Sequence, residues 1–431
     1  MSTKPLGGRR KVPHGWRPVT LDDIKSRDPD ACRAGPFGSS ISRKYFVEVG
    51  VPVIRGNNLS TNLTEFVAED FAFVTEQRTR DKYKNCLVRP GDLVFTCWGT
   101  IGQVGRIPDD GPFDEYVISN KQLKLRTDPS IANSKFVYYY VASKAGVNYI
   151  KSRSIGAAVP GINLGIMKSI PIALPPMTLQ ESIVGILSAY DDLIENNRRR
   201  IQLLEQAARL LYKEWFVHLR FPGHEHSNFT KGIPEGWQRV PLQKVCNRIT
   251  DGSHSSPQSV DEGLPMASVK DMHDWGFNTD QCRKVGQQDF ELLVRNDCKP
   301  LKNDVLIAKG GSYLKHTFVV QEEIDLVILS SIAMLRPNHL IDPHLLNFIL
   351  RDPRTKMRMA GYVSGVALPR IILKEFRDFE ILLPPIELQR IWAIHANPIA
   401  IQCHKLGKQN ETLVKARDLL LPRLMNGEVE V

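Results

Sequence analysis

Polar side chains with paired hydrogen-bond donors and acceptors recur in the loops of this chain, beside glycines and between apolar strand-like runs. The chemistry they suit is the reading of a nucleic-acid groove. Asn, Gln, Ser and Thr match base edges, while Lys, Arg and backbone amides near Gly hold phosphates. In the first half the candidates are Ser39, Ser40, Arg55, Asn57, Asn58, Thr96, Trp98, Thr100, Asn120, Lys121, Gln122 and Arg153. In the second half they are Ser253, His254, Lys270, Lys309, Ser312, Tyr313, Lys315, His316, Ser330 and Ser331. Asn57-Asn58 after Arg55-Gly56, and the Lys309 to His316 loop, carry most weight. Each residue taken alone also reads as an ordinary solvated loop residue.

Bond-making chemistry has no comparable support. The chain has no Asn-Pro-Pro-aromatic motif for amino-group methylation, no Walker A sequence and no carboxylate-lysine cluster of a nuclease. Gly99 to Gly105 resembles a phosphate cradle, but no Lys-Ser/Thr follows it and no strand-to-helix pattern frames it, so it reads as a β-turn. The seven cysteines, Cys32, Cys86, Cys97, Cys246, Cys282, Cys298 and Cys403, are odd in number and never spaced C-x-x-C. They read as reduced, mostly buried thiols rather than a disulfide framework or zinc site. His224 and His226 lie in a polar turn and read as linker. No catalytic residue, metal or cofactor is expected on this chain.

Charge favours a polyanionic partner unevenly. The formal net charge is +10. Residues 1–177 hold 25 basic and 16 acidic side chains, whereas residues 222–385 hold 20 of each. A nucleic-acid role for the later block must therefore rest on a local patch. No apolar run approaches a membrane span, and Arg9, Arg10 and Lys11 lack the apolar stretch of a signal peptide, so the cytoplasm is the default compartment.

The loops belong to two blocks that begin alike and end alike. Val12-Pro13-His14-Gly15-Trp16 is echoed by Ile233-Pro234-Glu235-Gly236-Trp237, and each leads into a strand-like run, Val19 to Ile24 or Val240 to Ile249. Inside, Leu87 to Phe95 corresponds to Leu301 to Ile307: a turn with an aspartate, then a β-branched strand. Helix-like segments at 134–150 and 343–359 follow, then Gly156 to Pro160 and Gly365 to Pro369. Each block closes on an apolar strand, Ile170 to Leu174 or Phe379 to Leu383, and then Pro175-Pro176 or Pro384-Pro385. The spacing predicts mixed α+β domains over 1–176 and 222–385, with long helices over 177–221 and 386–431.

Those helices carry a heptad seam. It runs through Ile183, Leu187, Tyr190, Ile194, Asn197, Ile201, Leu204, Ala208, Leu211 and Trp215, and returns as Trp392, Ala396, Ile399, Cys403, Leu406, Asn410, Leu413, Arg417, Leu420 and Leu424. At 1.5 Å per residue such a seam spans roughly 50 Å and calls for a partner helix. Aligning Asn197 with Asn410 requires antiparallel packing, because one asparagine is a d residue and the other an a residue. The layers then pair Ile183 with Leu424, Leu187 with Leu420, Tyr190 with Arg417, Ile194 with Leu413, Ile201 with Leu406, Leu204 with Cys403, Ala208 with Ile399, Leu211 with Ala396 and Trp215 with Trp392. Arg417 is expected over the Tyr190 ring. Thr178 and Glu181 read as a capping box for the first helix. Pro398 and Gly407 predict a kink or break in the second near Asn397.

Two unlike blocks, Gly-Trp openings, Pro-Pro-x-x-x-Leu-Gln helix starts and the run Asn196-Asn197-Arg198 to Trp215-Phe216 together resemble the specificity subunit of a type I restriction-modification system. The resemblance covers essentially the whole chain. It implies a non-catalytic DNA-binding protein whose two target recognition domains each read half of a bipartite, asymmetric duplex sequence, with the helices as an antiparallel coiled-coil spacer. It also implies two methyltransferase (modification) subunits and restriction endonuclease/translocase subunits as partners, with S-adenosylmethionine, and ATP with Mg, bound on those partners. Base-contacting residues do not carry over, because such domains differ with the sequence they read. The rival readings are a stand-alone methyltransferase or nuclease with a duplicated domain, and an adaptor binding proteins only.

Overall fold

An aspartate placed three residues after a backbone N–H closes the same turn twice. Asp92 accepts from the Arg89 N–H at 3.0 Å, and Asp304 from the Leu301 N–H at 2.8 Å. Both carboxylates are buried, and each is gripped through two nitrogens by an arginine, Arg126 just past the end of a strand or Arg336 within one, at 2.7 to 2.9 Å. The hydrogen bonds from Asp92 and Asp304 hold these guanidiniums above their ordinary pKa.

The computed structural model describes residues 12–60, 63, 70–156, 159–310, 314–362, 371–429 and 431. The chain divides into two units, residues 1–193 with 413–431, and residues 194–412. The first contains β1 (Arg17–Thr20), β2 (Cys32–Ala34), β3 (Val51–Ile54), β4 (Ala72–Val74), β5 (Leu87–Val88), β6 (Leu93–Thr96), β7 (Val104–Arg106), β8 (Tyr116–Ile118), β9 (Gln122–Leu125) and β10 (Pro171–Leu174). The second contains β11 (Phe229–Thr230), β12 (Ile233–Pro234), β13 (Gln238–Pro241), β14 (Cys246–Asp251), β15 (Leu264–Ala267), β16 (Met272–His273), β17 (Gly276–Phe277), β18 (Arg283–Val285), β19 (Val305–Ala308), β20 (Thr317–Val319), β21 (Val327–Ile328), β22 (Ile332–Pro337) and β23 (Glu380–Leu383).

Pairing repeats in both units, except that β5 has no counterpart in the second. One sheet runs β2-β9-β6-β7 and its counterpart β14-β22-β19-β20; a second runs β4-β3-β8-β5 and its counterpart β18-β15-β21. The opening strand clasps the closing one in both units, β1 with β10 and β13 with β23, antiparallel. The Gly-Trp openings are turns in which Gly15 (φ 80°) and Gly236 (φ 82°) take the left-handed conformation that glycine favours, and Trp16 and Trp237 are buried behind them. The chain is thus α+β, with two pseudo-repeated domains and two long helices.

Several local expectations are corrected. The run Val19 to Ile24 stays strand only to Thr20, whose N–H turns onto Asp23 Oδ2 at 2.7 Å. Val240 to Ile249 is interrupted by a short helix, Leu242–Val245. The segments 134–150 and 343–359 each form two helices, Ser134–Ala142 with Lys144–Ser152, and Pro343–Arg351 with Pro353–Ala360. The break falls where Ser143 or Asp352 caps the next helix through its side chain. Gly365 to Pro369 lies outside the described residues, as do residues 157 and 158 of the Gly156 to Pro160 stretch.

The central long helix spans Met177–Tyr212 and the C-terminal one Ile386–Met425. Because the first starts directly after Pro176, Thr178 sits inside the first turn rather than at the cap. Gln180 secures the start instead. Its buried amide donates to the carbonyls of Ile131 and Pro175 and accepts from the Asn133 N–H; Gln389 does the same with Leu340, Pro384 and the Asp342 N–H. The Leu-Gln pair of each Pro-Pro helix is therefore a lock between helix and domain. Of the kink or break expected near Asn397, the break does not occur: the helix is continuous through Pro398 and Gly407. Proline removes the N–H that would reach the Ile394 carbonyl, but both residues are exposed, where water can serve that carbonyl.

Every seam residue is buried or half-buried. In the second unit Asn197 Nδ2 donates to Asn410 Oδ1 at 3.0 Å, and Asn410 Nδ2 donates to the Ile194 carbonyl at 3.2 Å, so the asparagine layer and the antiparallel sense are both present. In the first unit Arg417 does not lie over Tyr190. Its Nη1 donates to Asp191 Oδ1 at 2.5 Å and the Leu63 carbonyl at 2.9 Å, because a buried guanidinium gains more from a carboxylate than from a ring face. The Trp215/Trp392 layer shifts too, with Phe216 against Trp392 at 5.7 Å and Trp215 against His395 at 6.5 Å. The cause is a π-helical turn, Lys213–Val217, whose extra residue advances the seam by one.

The helices also belong to the domain cores. Ile183, Leu187, Leu421 and Leu424 pack with Trp16 and Phe136 in the first unit; Ala208, Tyr212, Trp392 and Ala396 pack with Val240 and Leu345 in the second. Asn197→Leu should cost about 1–3 kcal/mol, since it leaves the Asn410 amide short of a partner. The urea midpoint of the second unit checks this, and Asn197→Leu with Asn410→Leu should regain most of the loss.

Candidate nucleic-acid interface

The repeated topology brings the proposed groove-reading loops to one end of each domain. In the first unit β2, β3, β6 and β8 finish at the end where β9 begins: Ala34 faces Leu123, Thr96 faces Gln122, and Ile54 lies beside Ile118. Four loops leave from there, residues 35–40, 55–60, 97–103 and 119–121. They are tied together by Asn120 Nδ2 to the Gly38 carbonyl (3.2 Å), the Cys97 N–H to the Lys121 carbonyl (2.7 Å), and Gln103 Nε2 to the carbonyls of Gly56 (3.1 Å) and Leu59 (3.0 Å).

The second unit repeats the joinery with different side chains. The Ser330 N–H reaches the Ser253 carbonyl and the Lys309 N–H the Ser331 carbonyl, both at 2.9 Å, while the Leu329 N–H meets the Ala267 carbonyl at 2.9 Å. Gly35 and Gly252 hold equivalent places after β2 and β14. A Cβ would fall 1.8 Å from the Ser119 oxygen at Gly35, or 2.0 Å from the Ile328 oxygen at Gly252, so neither position admits a side chain.

Among the sequence candidates, Ser39, Ser40, Asn57, Trp98, Thr100, Asn120, Lys121 and Arg153 are exposed in the first unit, and His254, Lys270 and Lys315 in the second. Ser330 and Ser331 are half-buried. Arg55 is half-buried and donates to the Asp70 carbonyl at 2.6 Å; His316 sits against Asp274 at 2.9 Å. Ser312 and Tyr313 lie outside the described residues.

Five candidates are turned inward. Asn58 accepts from the Arg55 N–H at 3.0 Å and closes its own turn. Thr96 bonds Gln103 at 3.0 Å, and Gln122 accepts from Ser119. Ser253 meets Ser255 at 2.8 Å, and Lys309 pairs with Asp251 at 2.6 Å, both partners almost wholly buried. Thr96, Gln122 and Lys309 sit at or beside strand ends, and Asn58 and Ser253 lie within loops that follow strands; all five are buried. They are braces of the surface rather than its outward face. Lys309 is the plainest correction, because a cation expected on a phosphate is neutralised by Asp251 instead. In the first unit the equivalent places are Ala34 and Cys97, and burial pushes the Cys97 thiol up to about 11.

Two residues escaped sequence reading. Gln103 ties its own loop to residues 55–60 and to the end of β6 at Thr96, and nothing in its surroundings marks it. Phe37 is 96% exposed in the first of the four loops. Its signal is an apolar residue between Pro36 and Gly38, where turn chemistry leaves a side chain nowhere to bury. Among the described residues no group of three His, Cys, Asp or Glu is placed to hold a metal ion, and no helix is long and apolar enough to cross a membrane.

Comparison with known proteins adds a family to this geometry. Residues 13–206 match the family described as type I restriction modification DNA specificity domain. The chain is similar to the specificity subunit of the type I restriction enzyme MjaIX of Methanocaldococcus jannaschii, at 23% identity over 438 residues, covering 98% of this chain and 95% of that one. It is 22% identical over 392 residues to the HindI specificity subunit of Haemophilus influenzae, covering 74% of this chain and 83% of the relative. Its fold is like that of the type I restriction-modification system S subunit from M. genitalium, with a TM-score of 0.58, 16% identity, and coverage of 96% of this chain and 98% of that one.

Proposed function

From the match of residues 13–206 to the type I restriction modification DNA specificity domain, we propose that this chain belongs to the type I specificity family and reads a bipartite duplex sequence, one half with each domain. The observation that carries the reading is the repeat of one loop-bearing strand end in both units, built on the same backbone bonds but furnished with different exposed side chains. A shared scaffold with unlike surfaces suits recognition of two unlike half-sites. The surplus of basic residues in the first block supports phosphate contact there. Lys270 and Lys315 are exposed cations of the second.

In this proposal the paired helices set the gap between half-sites. The chain recruits two methyltransferase subunits, which bind S-adenosylmethionine, and restriction endonuclease/translocase subunits, which bind ATP with Mg. The chain itself binds no cofactor and supplies no catalytic group. Its work is positional: it holds the partners' chemistry over one DNA sequence.

The test pairs two measurements. The purified chain, incubated with labelled S-adenosylmethionine and DNA, should transfer no methyl group; addition of its methyltransferase subunits should restore transfer. Sequencing the methylated positions in cells carrying the complex should then return one split motif. Transfer by the chain alone would establish the enzyme reading, and salt-insensitive binding without a preferred sequence would favour the adaptor.

A further inference from the structure

We propose that Phe37 makes the non-ionic contact of the first domain with duplex DNA, its ring set against base edges in the groove, and that His254 holds the matching place in the second. This rests on the DNA-reading function proposed above and names a residue of that same surface.

Phe37 is almost entirely free of protein contact, at 96% exposure, yet its backbone is fixed. Pro36 before it is buried. The Phe37 carbonyl accepts from both the Ser40 N–H (3.3 Å) and Ser40 Oγ (2.7 Å). Gly38 after it takes the left-handed conformation, φ 56°, and its carbonyl accepts from Asn120. A mobile loop would fold such a ring back onto the protein, since burying a phenylalanine is among the larger apolar gains available. Here the turn holds it outward, so the gain is left for a ligand to collect.

The second domain carries a ring at the same point. The Gly35 N–H bonds the Gln122 carbonyl and the Gly252 N–H bonds the Ile332 carbonyl, at the start of β9 and of its counterpart β22. Counting two residues on from each glycine reaches Phe37 and His254. The His254 side chain is 76% exposed. Beside Phe37 stand the exposed Ser39, Asn120 and Lys121, a polar and cationic setting that suits a polyanion whose grooves present apolar methyl and ring edges.

The experiment uses the full complex with its methyltransferase subunits and a fluorescent duplex carrying the split motif found by sequencing methylated DNA. Binding is measured across a salt series. Phe37→Ala should weaken binding about tenfold or more at every salt concentration without altering the slope of log K against log salt, because no phosphate contact is lost. Phe37→Tyr should restore affinity to within about threefold. Lys121→Ala supplies the contrast, with a slope smaller by about one. Thermal melting of Phe37→Ala should match the unaltered complex. Binding by Phe37→Ala within twofold of the unaltered complex overturns the inference, as does a lowered melting temperature or a loss of methyltransferase assembly with DNA affinity intact. An unaltered complex that prefers no split sequence overturns the DNA-reading proposal itself, whatever Phe37 does.

Discussion

Arg336→Met should lower the stability of the second unit by about 3–5 kcal/mol, read as a fall in its urea midpoint. The reason is what the substitution leaves behind. Asp304 is 0% exposed, and its two oxygens are held by the Arg336 guanidinium and the Leu301 N–H. Methionine fills the space of the arginine stem but strands a buried carboxylate. Asp304→Asn should cost less, because a neutral amide keeps the turn closed and the arginine, a quarter exposed, can turn to water. Combining Asp304→Asn with Arg336→Met should recover part of the loss, since no unpaired charge remains. A single substitution at Arg336 that costs under 1 kcal/mol would show that the pair is not what closes this turn. Arg126 and Asp92 predict the same order in the first unit.

The largest functional change is expected from shortening both helices by one heptad. Removing residues 198–204 and 403–409 keeps the Asn197–Asn410 layer and joins seam to seam, so Ala208 follows Asn197 at the spacing of Ile201, and Asn410 follows Ile399 at the spacing of Cys403. Seven residues at 1.5 Å make about 10 Å, or about three base pairs of duplex. The methylated motif should keep both half-sites and lose about three base pairs from the gap. An unchanged gap in a complex that still methylates would remove the helices from the role of spacer.

The repeats, the seam and the asparagine register were readable before any coordinates because each depends on local spacing. A 3-4 step of apolar residues states which face of a helix is covered. An asparagine at a in one helix and d in the other states the sense of packing that lets them meet, and the 3.0 Å bond between Asn197 and Asn410 is the outcome. Gly-Trp and Pro-Pro-x-x-x-Leu-Gln likewise marked turn and helix start, although the glutamine proved to be the lock and Thr178 not the cap.

What lay beyond sequence reading has one physical origin, the competition among neighbours distant in the chain. Arg417 prefers Asp191 to a tyrosine ring, and a π-turn slides Trp215 out of its layer. Pro398 stays within its helix because the exposed side can spare a hydrogen bond. At the strand ends, loop position alone could not separate Lys121, which faces water, from Lys309, which Asp251, two strands away in the sheet, draws inward. The amino-acid sequence determined the elements, their duplication and the pairing sense of the helices, because periodicity and turn chemistry are properties of a segment. Which polar side chains brace the surface and which face outward was decided by the tertiary structure, because burial depends on what folds over a residue rather than on the residue itself.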